Sequence, residues 1–428
     1  MKTVLFSKLA IFALLLGLFF TACEKDPIDP VDDDDDVITD LKFIGSESCK
    51  TCHSDKYNTW IKSGHPYKFS VITDGIAPEY PAEVVNFMDT WMANLGNGSH
   101  TWADVAGVIG GYGWKARFVG QDGYIIGTAG SEYSPAYGHN QINFFGGENH
   151  GWVNYNADNP DKLYNYSCFK CHTTGGTEDG TWLEGVDGLG NFAEQGIGCE
   201  SCHGPGSLHA EDPSTENIDR VYEFAHSDNA DGGLVINGTV QTPNEAGNDV
   251  NFLCGTCHNR NYDNVIEVSG GYIKHHEQWE EIVSGGHQTL DCSSCHNPHE
   301  RVIWDGQGIT SNCTDCHTVA ETNHTASANC VDCHMPYAAK SGTARGESGY
   351  EGDIRSHLMK IVVSDESMFT ADGSAVRDDS ERPAALSVAF SCLGCHNRDS
   401  NDNIPDKTLE QAIQGAGSMH GAKGIAHK

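Results

Sequence analysis

Apolar positions along this chain gather in short pieces, and each piece predicts a different kind of element. The first, residues 9–20, follows Lys2 and Lys8 and runs into Thr21, Ala22 and Cys23. It is too short and too poorly flanked for a membrane span and reads as a lipoprotein signal peptide over 1–22, with Cys23 as the lipid-bearing residue. Behind it, Asp26, Asp29, Asp32, Asp33, Asp34, Asp35, Asp36 and Asp40 interleave with Pro27 and Pro30. That composition cannot bury a core and predicts an acidic, disordered tether over 23–42. Near the other end, Leu409, Ile413, Ala416 and His420 fall at helical spacing behind Asp406, which predicts a capped helix with a histidine on its buried stripe. The same spacing sets His65 behind Tyr57, Trp60 and Ile61, and His287 behind His276, Trp279 and Val283. Between residues 54 and 167 the glycines are frequent, and residues 115–119, 121–123 and 124–128 read as strand, turn and strand of a hairpin.

Eight times the chain writes Cys-x-x-Cys-His. The cysteine pairs are Cys49 and Cys52, Cys168 and Cys171, Cys199 and Cys202, Cys254 and Cys257, Cys292 and Cys295, Cys313 and Cys316, Cys330 and Cys333, and Cys392 and Cys395. The adjoining histidines are His53, His172, His203, His258, His296, His317, His334 and His396. Two cysteines three apart can add across both vinyl groups of one porphyrin, which leaves the next histidine placed to bind the iron. A single Cys-x-x-Cys could be half a zinc site or a dithiol redox pair. With only 22 histidines in 428 residues, a histidine after all eight pairs excludes coincidence. The expected cofactor is therefore eight covalently bound haem c groups, and the motifs account for all of the 17 cysteines except Cys23. Thioether bonds to haem are made outside the bacterial cytoplasm, so the chain is expected to be exported, as an outer-membrane lipoprotein on the periplasmic face or the cell surface.

Only 38% of residues are hydrophobic, so the porphyrins are expected to supply much of the core. Six motifs crowd between residues 168 and 334, leaving too little peptide for separate β-sandwiches. The expected fold is mainly α with much irregular loop, plus a small β-containing insert between the first and second motifs. The organisation reads as a first motif with that insert over 43–165, a six-haem helical and loop core over 166–340, and a C-terminal segment with the eighth motif and terminal helix over 341–428. The formal charge of −34 disfavours nucleic acid and anionic lipid as partners. It suits other redox proteins instead, among them cytochromes and quinol-linked or outer-membrane electron-transfer components, with the membrane reached through the Cys23 anchor.

Each iron has a sixth position to fill, and the histidines outside the motifs are candidates. Context selects His65, His209, His275 or His276, His287, His299, His324, His357 and His420 as distal ligands. His209 and His299 stand only a few residues beyond a motif histidine, so each is expected to reach a neighbouring haem. His100, His139, His150, His226 and His427 are expected on the surface or in loops.

Several stretches resemble the group of multihaem cytochromes that includes hydroxylamine oxidoreductase, octahaem tetrathionate reductase, octahaem nitrite reductase and the tetrahaem cytochrome c-554. They are residues 49–65 with their Trp-Ile-Lys-Ser-Gly-His ending, 198–209 with Cys-His-Gly-Pro-Gly, 286–299, 330–336 and 353–357. The resemblance implies haems stacked in parallel and perpendicular pairs, close enough for electrons to tunnel between them. The group contains both enzymes and carriers, so it does not by itself assign catalysis. No motif is Cys-x-x-Cys-Lys, so the lysine-ligated haem of the nitrite reductases is absent. The leading expectation is an electron carrier with all eight irons held between two histidines and no catalytic residue. The alternative is an octahaem oxidoreductase acting at one undercoordinated haem on a small nitrogen or sulfur compound of the hydroxylamine, nitrite or tetrathionate class. For that alternative, Lys115 could give a weak sixth ligand or, with Arg117, bind an oxyanion.

Overall fold

The computed structural model describes residues 41–428 apart from 83–91, 145–150, 219–233, 237–238, 242–252, 261–264, 305, 320–323, 325–327, 401, 421–424 and 428. The signal run, Cys23 and the acidic run lie outside the described residues, as do His150 and His226. No helix among the described residues is long and apolar enough to cross a membrane.

The largest regular element is an antiparallel five-stranded sheet inserted between the first and second motifs. Its strands are β1 (Phe69–Val71), β2 (Val105–Gly110), β3 (Lys115–Gly120), β4 (Gln141–Asn143) and β5 (Gly151–Val153), in that order. Side chains alternate across a strand, so Ala116 and Phe118 of β3 join Val105, Val108, Leu95 and Ile126 in a buried cluster on one face. Lys115 and Arg117 then share the opposite face of the same strand. The turn into β3 passes through Gly110 at φ 76 and Gly111 at φ 93, a left-handed stretch that glycine adopts without cost. Gly107 in β2 permits a close approach, since a Cβ there would sit 2.5 Å from the Phe69 ring.

The expected hairpin is present only at its turn. Gly123 N–H donates to Gly120 O at 3.0 Å and Ile126 N–H to Phe118 O at 2.8 Å, but the returning chain forms a single bridge, Val119 to Ile125. The full partners of β3 are β2 and β4, while Ile126 of the returning segment still packs with Val108 and Ile142 in the cluster around Ala116 and Phe118.

Helices elsewhere are short and mostly carry motifs. The terminal helix, Leu409–Ala416, begins two residues later than Asp406 suggested, because Thr408 and Gln411 form the reciprocal cap. Its buried side lays Ala412, with Leu409 and Ile413, against Val388, Ala389 and Leu393. A second core gathers Ile266, Ile273, Leu358, Met368 and Leu386. Residues 42–428 cluster as one compact unit. Trp114 Nε1 donates to Asp353 O at 2.8 Å and Lys115 Nζ to Ser341 O at 2.9 Å, which docks the insert onto the C-terminal segment.

Candidate haem centres and an electropositive pocket

The motifs are referred to as sites 1 to 8 in chain order. At sites 6 and 7 the cysteines lie on the helices Cys313–Cys316 and Cys330–His334, where residues three apart share one face. Asp315 and Asp332 accept the backbone N–H groups of Asn312 and Asn329, each at 2.8 Å, and so define where these two helices start.

Seven motif histidines face a second histidine. Ring centroids are 6.1 Å apart for His53 and His209, 6.1 Å for His203 and His299, 6.5 Å for His258 and His65, and 6.2 Å for His296 and His357. They are 5.8 Å apart for His317 and His287, 5.8 Å for His334 and His420, and 6.1 Å for His396 and His324. These rings are too far apart to hydrogen-bond. With metal–nitrogen bonds of about 2 Å and about 1.2 Å from nitrogen to ring centre, one iron between two imidazoles needs about 6.4 Å. The donor sets therefore fit haem iron at seven sites. Second contacts fix the imidazole tautomers, as Nδ1 meets Ser214 O at 2.9 Å from His209, Met359 O at 2.7 Å from His334 and Pro405 O at 2.7 Å from His396. An Nδ1–H held this way leaves Nε2 as the metal-binding nitrogen. Burial also pushes His65 down to about 3 and His258 to about 4, which favours the neutral imidazole that metals bind.

The thiols show how the sites connect. Cys49 and Cys199 lie within hydrogen-bonding reach of each other, as do Cys171 and Cys257, Cys254 and Cys292, and Cys313 and Cys330. Cys202 neighbours Cys254 and Cys257, Cys295 neighbours Cys316, and Cys333 neighbours Cys392 and Cys395. Each thiol would mark one edge of a bound porphyrin. The contacts therefore join sites 1, 3, 4, 5, 6, 7 and 8 in an unbroken series, with site 2 branching from site 4.

Site 2 differs from the rest. Among the described residues the one ring neighbour of His172 is Tyr164, whose hydroxyl lies 3.0 Å from His172 Nδ1. The remaining candidate for a distal ligand, His275 or His276, is not paired with a motif histidine in the same way: the two rings pack on each other at 4.4 Å. Their backbone explains the placement. His276 has a left-handed φ of 74°, and Arg260, paired with Glu277 at 2.9 Å, donates to His275 O at 2.5 Å. Such a conformation persists only where its surroundings impose it.

Cations collect around His172. The charges of Lys68, Arg117 and Lys115 all act on it, and its imidazole is pushed down to about 4, chiefly by burial. His276 feels Lys68, His172 and Lys115, while His275 feels Lys115, Arg260 and Arg117, so these groups lie near one another around His172. Burial pushes Lys115 down to about 7, with the Arg117 charge adding to the effect, and burial also lowers Lys68. Arg117 is held by Gln141 Oε1 at 2.9 and 2.7 Å and stacks over the Tyr155 ring at 4.2 Å. Lys68, Tyr164 and Arg260 were not singled out from the sequence. Lys68 stands three residues beyond His65 and Tyr164 four before Cys168, but no periodicity marks either one.

Residues 149–204, which contain the second and third motifs, match the family model described as cytochrome c554 and c-prime. No curated protein sequence matches the chain. The octaheme sulfite reductase MccA of Wolinella succinogenes superposes with a TM-score of 0.53 at 18% identity, covering 90% of this chain and 68% of that one. The outer cell wall cytochrome OcwA gives 0.46 at 17% identity, over 87% of this chain and 86% of its own. An undecaheme cytochrome from the S-layer of Carboxydothermus ferrireducens gives 0.39 at 18%, covering 70% of this chain and 51% of its own. The fold, the motifs and the opposed histidines define a multihaem c-type cytochrome. Within that class the chain resembles the octahaem group, and its fold is similar to that of the octaheme sulfite reductase.

Proposed function

We propose that the protein is an exported octahaem oxidoreductase that acts on a small nitrogen or sulfur oxyanion at site 2 and exchanges the electrons through the other seven sites. The observation that carries this reading is the contrast between seven opposed histidine pairs and His172, which has none among the described residues and lies in the field of Lys68, Lys115 and Arg117. Bound haem c supplies electron relay where two imidazoles hold the iron, and a position for a small ligand where one does. The side chains supply the rest of the chemistry. Lys115 and Arg117 offset the charge of an anion in low-dielectric surroundings, where preset charges act most strongly. Ser341 O and Gln141 Oε1 fix their directions in advance. His275 and His276 offer imidazole N–H groups that can hand protons to an oxygen of the substrate. This set favours nitrite or a sulfur oxyanion over neutral hydroxylamine.

Electron paramagnetic resonance of the oxidised protein tests the reading. We expect eight haems by intact mass and a high-spin signal from about one iron in eight. Nitrite or sulfite should shift that signal. Fully low-spin spectra that neither anion perturbs would overturn the proposal and restore the second reading, a pure electron conduit. The conduit rests on a specific observation too, since His276, paired with His275, lies near enough to feel the charge of His172, and one of the two could complete the eighth iron.

The proposal includes a lipid anchor at Cys23, an acidic spacer behind it and a location at the outer membrane, facing either the periplasm or the exterior. The charge of −34 suits a redox partner with a basic face, drawn in at low salt.

A further inference from the structure

Where the outward nitrogen of a haem-site histidine meets a backbone group, that group is a peptide carbonyl, as at His209, His334 and His396. His172 instead meets the phenol of Tyr164, at 3.0 Å. We infer that Tyr164 is a positioning residue that sets how strongly His172 donates to its iron. This rests on the reading of site 2 as the reactive haem.

A carbonyl only accepts hydrogen bonds, whereas a phenol both donates and accepts. Tyr164 is 1% exposed and packed against Phe69 at 4.7 Å, Phe169 at 6.0 Å and Trp182 at 6.1 Å. These rings offer its hydroxyl hydrogen no acceptor, and burial holds the phenol protonated. A neutral imidazole that binds iron through Nε2 carries its hydrogen on Nδ1, so Nδ1–H donates to the phenol oxygen and the hydroxyl hydrogen finds no acceptor among these rings. Removing the hydroxyl takes that acceptor away. The ligand loses electron density, the iron–histidine bond weakens and the ferric state is less favoured. The ring planes lie 18° apart, so the contact also fixes the rotation of the imidazole about its bond to iron.

The test uses the fully haem-loaded full chain and Tyr164→Phe, which keeps the aromatic packing. Resonance Raman of the reduced proteins reads the iron–histidine stretch of a five-coordinate haem, and a spectropotentiometric titration reads the eight potentials. In Tyr164→Phe we expect the stretch to move to lower frequency and one potential of the eight to rise while the others stay. A fluorotyrosine at position 164, a better donor and a poorer acceptor of the same shape, should move both in the same direction by less, and it keeps the test valid if the phenylalanine variant fails to fold. Trp182→Phe, which alters the same cluster without touching the hydroxyl, should move neither. A wild-type stretch that does not move in either Tyr164 variant, with eight unchanged potentials, would overturn the inference. Absence of any five-coordinate stretch from the wild type would sink the open-site reading instead, and the single potential would then decide the role of Tyr164 alone.

Discussion

The thiols of Cys171 and Cys257 lie within hydrogen-bonding reach of each other, although 85 residues separate the stretches that meet there, as Cys171 Sγ also reaches Thr256 O at 3.9 Å. This contact attaches site 2 to site 4, and it does so at the side of the series instead of at its end. A reactive iron placed on such a branch exchanges electrons with sites 3 and 5 through one neighbour. Under the proposed function, the relay would hold several electrons while a substrate stays bound at site 2.

The opposed pairs make a direct prediction. His420 follows the helix Leu409–Ala416 and faces His334 at 5.8 Å. His420→Ala should convert one low-spin haem to high-spin without loss of covalent haem, as read by electron paramagnetic resonance beside intact mass. An unchanged spectrum would return His420 to an ordinary packed histidine.

Glu200 should prove a structural hinge-pin between sites 1 and 3. It is 1% exposed, and its carboxylate accepts the N–H groups of Ile44 at 2.9 Å, Gly45 at 2.8 Å and Gly206 at 2.7 Å. Glu200→Ala leaves three donors without this acceptor, each worth about 1–3 kcal/mol when buried and unsatisfied. Thermal unfolding followed through the haem absorbance should show a loss of at least about 3 kcal/mol. A shift within error of the wild type would mean that water replaces the carboxylate there.

The anchor is tested separately from the fold. Cys23→Ser should release the protein from membranes with its haem content unchanged, and protease added to whole cells then distinguishes surface from periplasm. Retention on membranes after a salt wash would remove the lipid anchor from the proposal.

What the sequence made legible follows the range of each interaction. Covalent attachment needs cysteines three apart and an adjacent histidine, a wholly local demand, so the eight Cys-x-x-Cys-His motifs can be read directly as candidate attachment sites. The candidate distal histidines could be picked out as residues, since His65, His209 and His420 sit in local contexts that stand out. Their pairing with His258, His53 and His334 was not, because it depends on how distant segments meet. Sheet pairing fails for the same reason. The turn at Gly123 was visible, but the choice of β2 as the partner of β3 is a tertiary one. Thr408 displaced Asp406 as the cap because the capping box needs Gln411 three residues on. The site 2 pocket was half legible. Lys115 and Arg117 alternate along a visible strand, whereas Tyr164, Lys68 and Arg260 come from separate segments and take their roles only from the space they share.

Lys115 gives the site a pH dependence whose sign can be worked out. Burial pushes its ammonium down to about 7, with Arg117, Arg260 and Lys68 acting in the same direction and Asp353 opposing them. Below that pH the group carries the charge that attracts an anion; above it the charge is lost, and affinity for nitrite or sulfite should fall as pH rises. A bound anion favours the protonated form, so the midpoint in the complex should lie higher than in the free protein. The neighbouring Arg117 stays charged throughout and should contribute a constant attraction. Lys115→Met should therefore weaken binding at pH 6 by about tenfold to a hundredfold, the range expected when a hydrogen bond to a charged group is lost. At pH 9 the same variant should bind much as the wild type does, since the lysine there is already neutral. Arg117→Met should weaken binding at both values. Dissociation constants from the shift of the high-spin signal between pH 6 and 9 supply the check, and a wild-type profile that keeps its slope in Lys115→Met would assign the titration to another group.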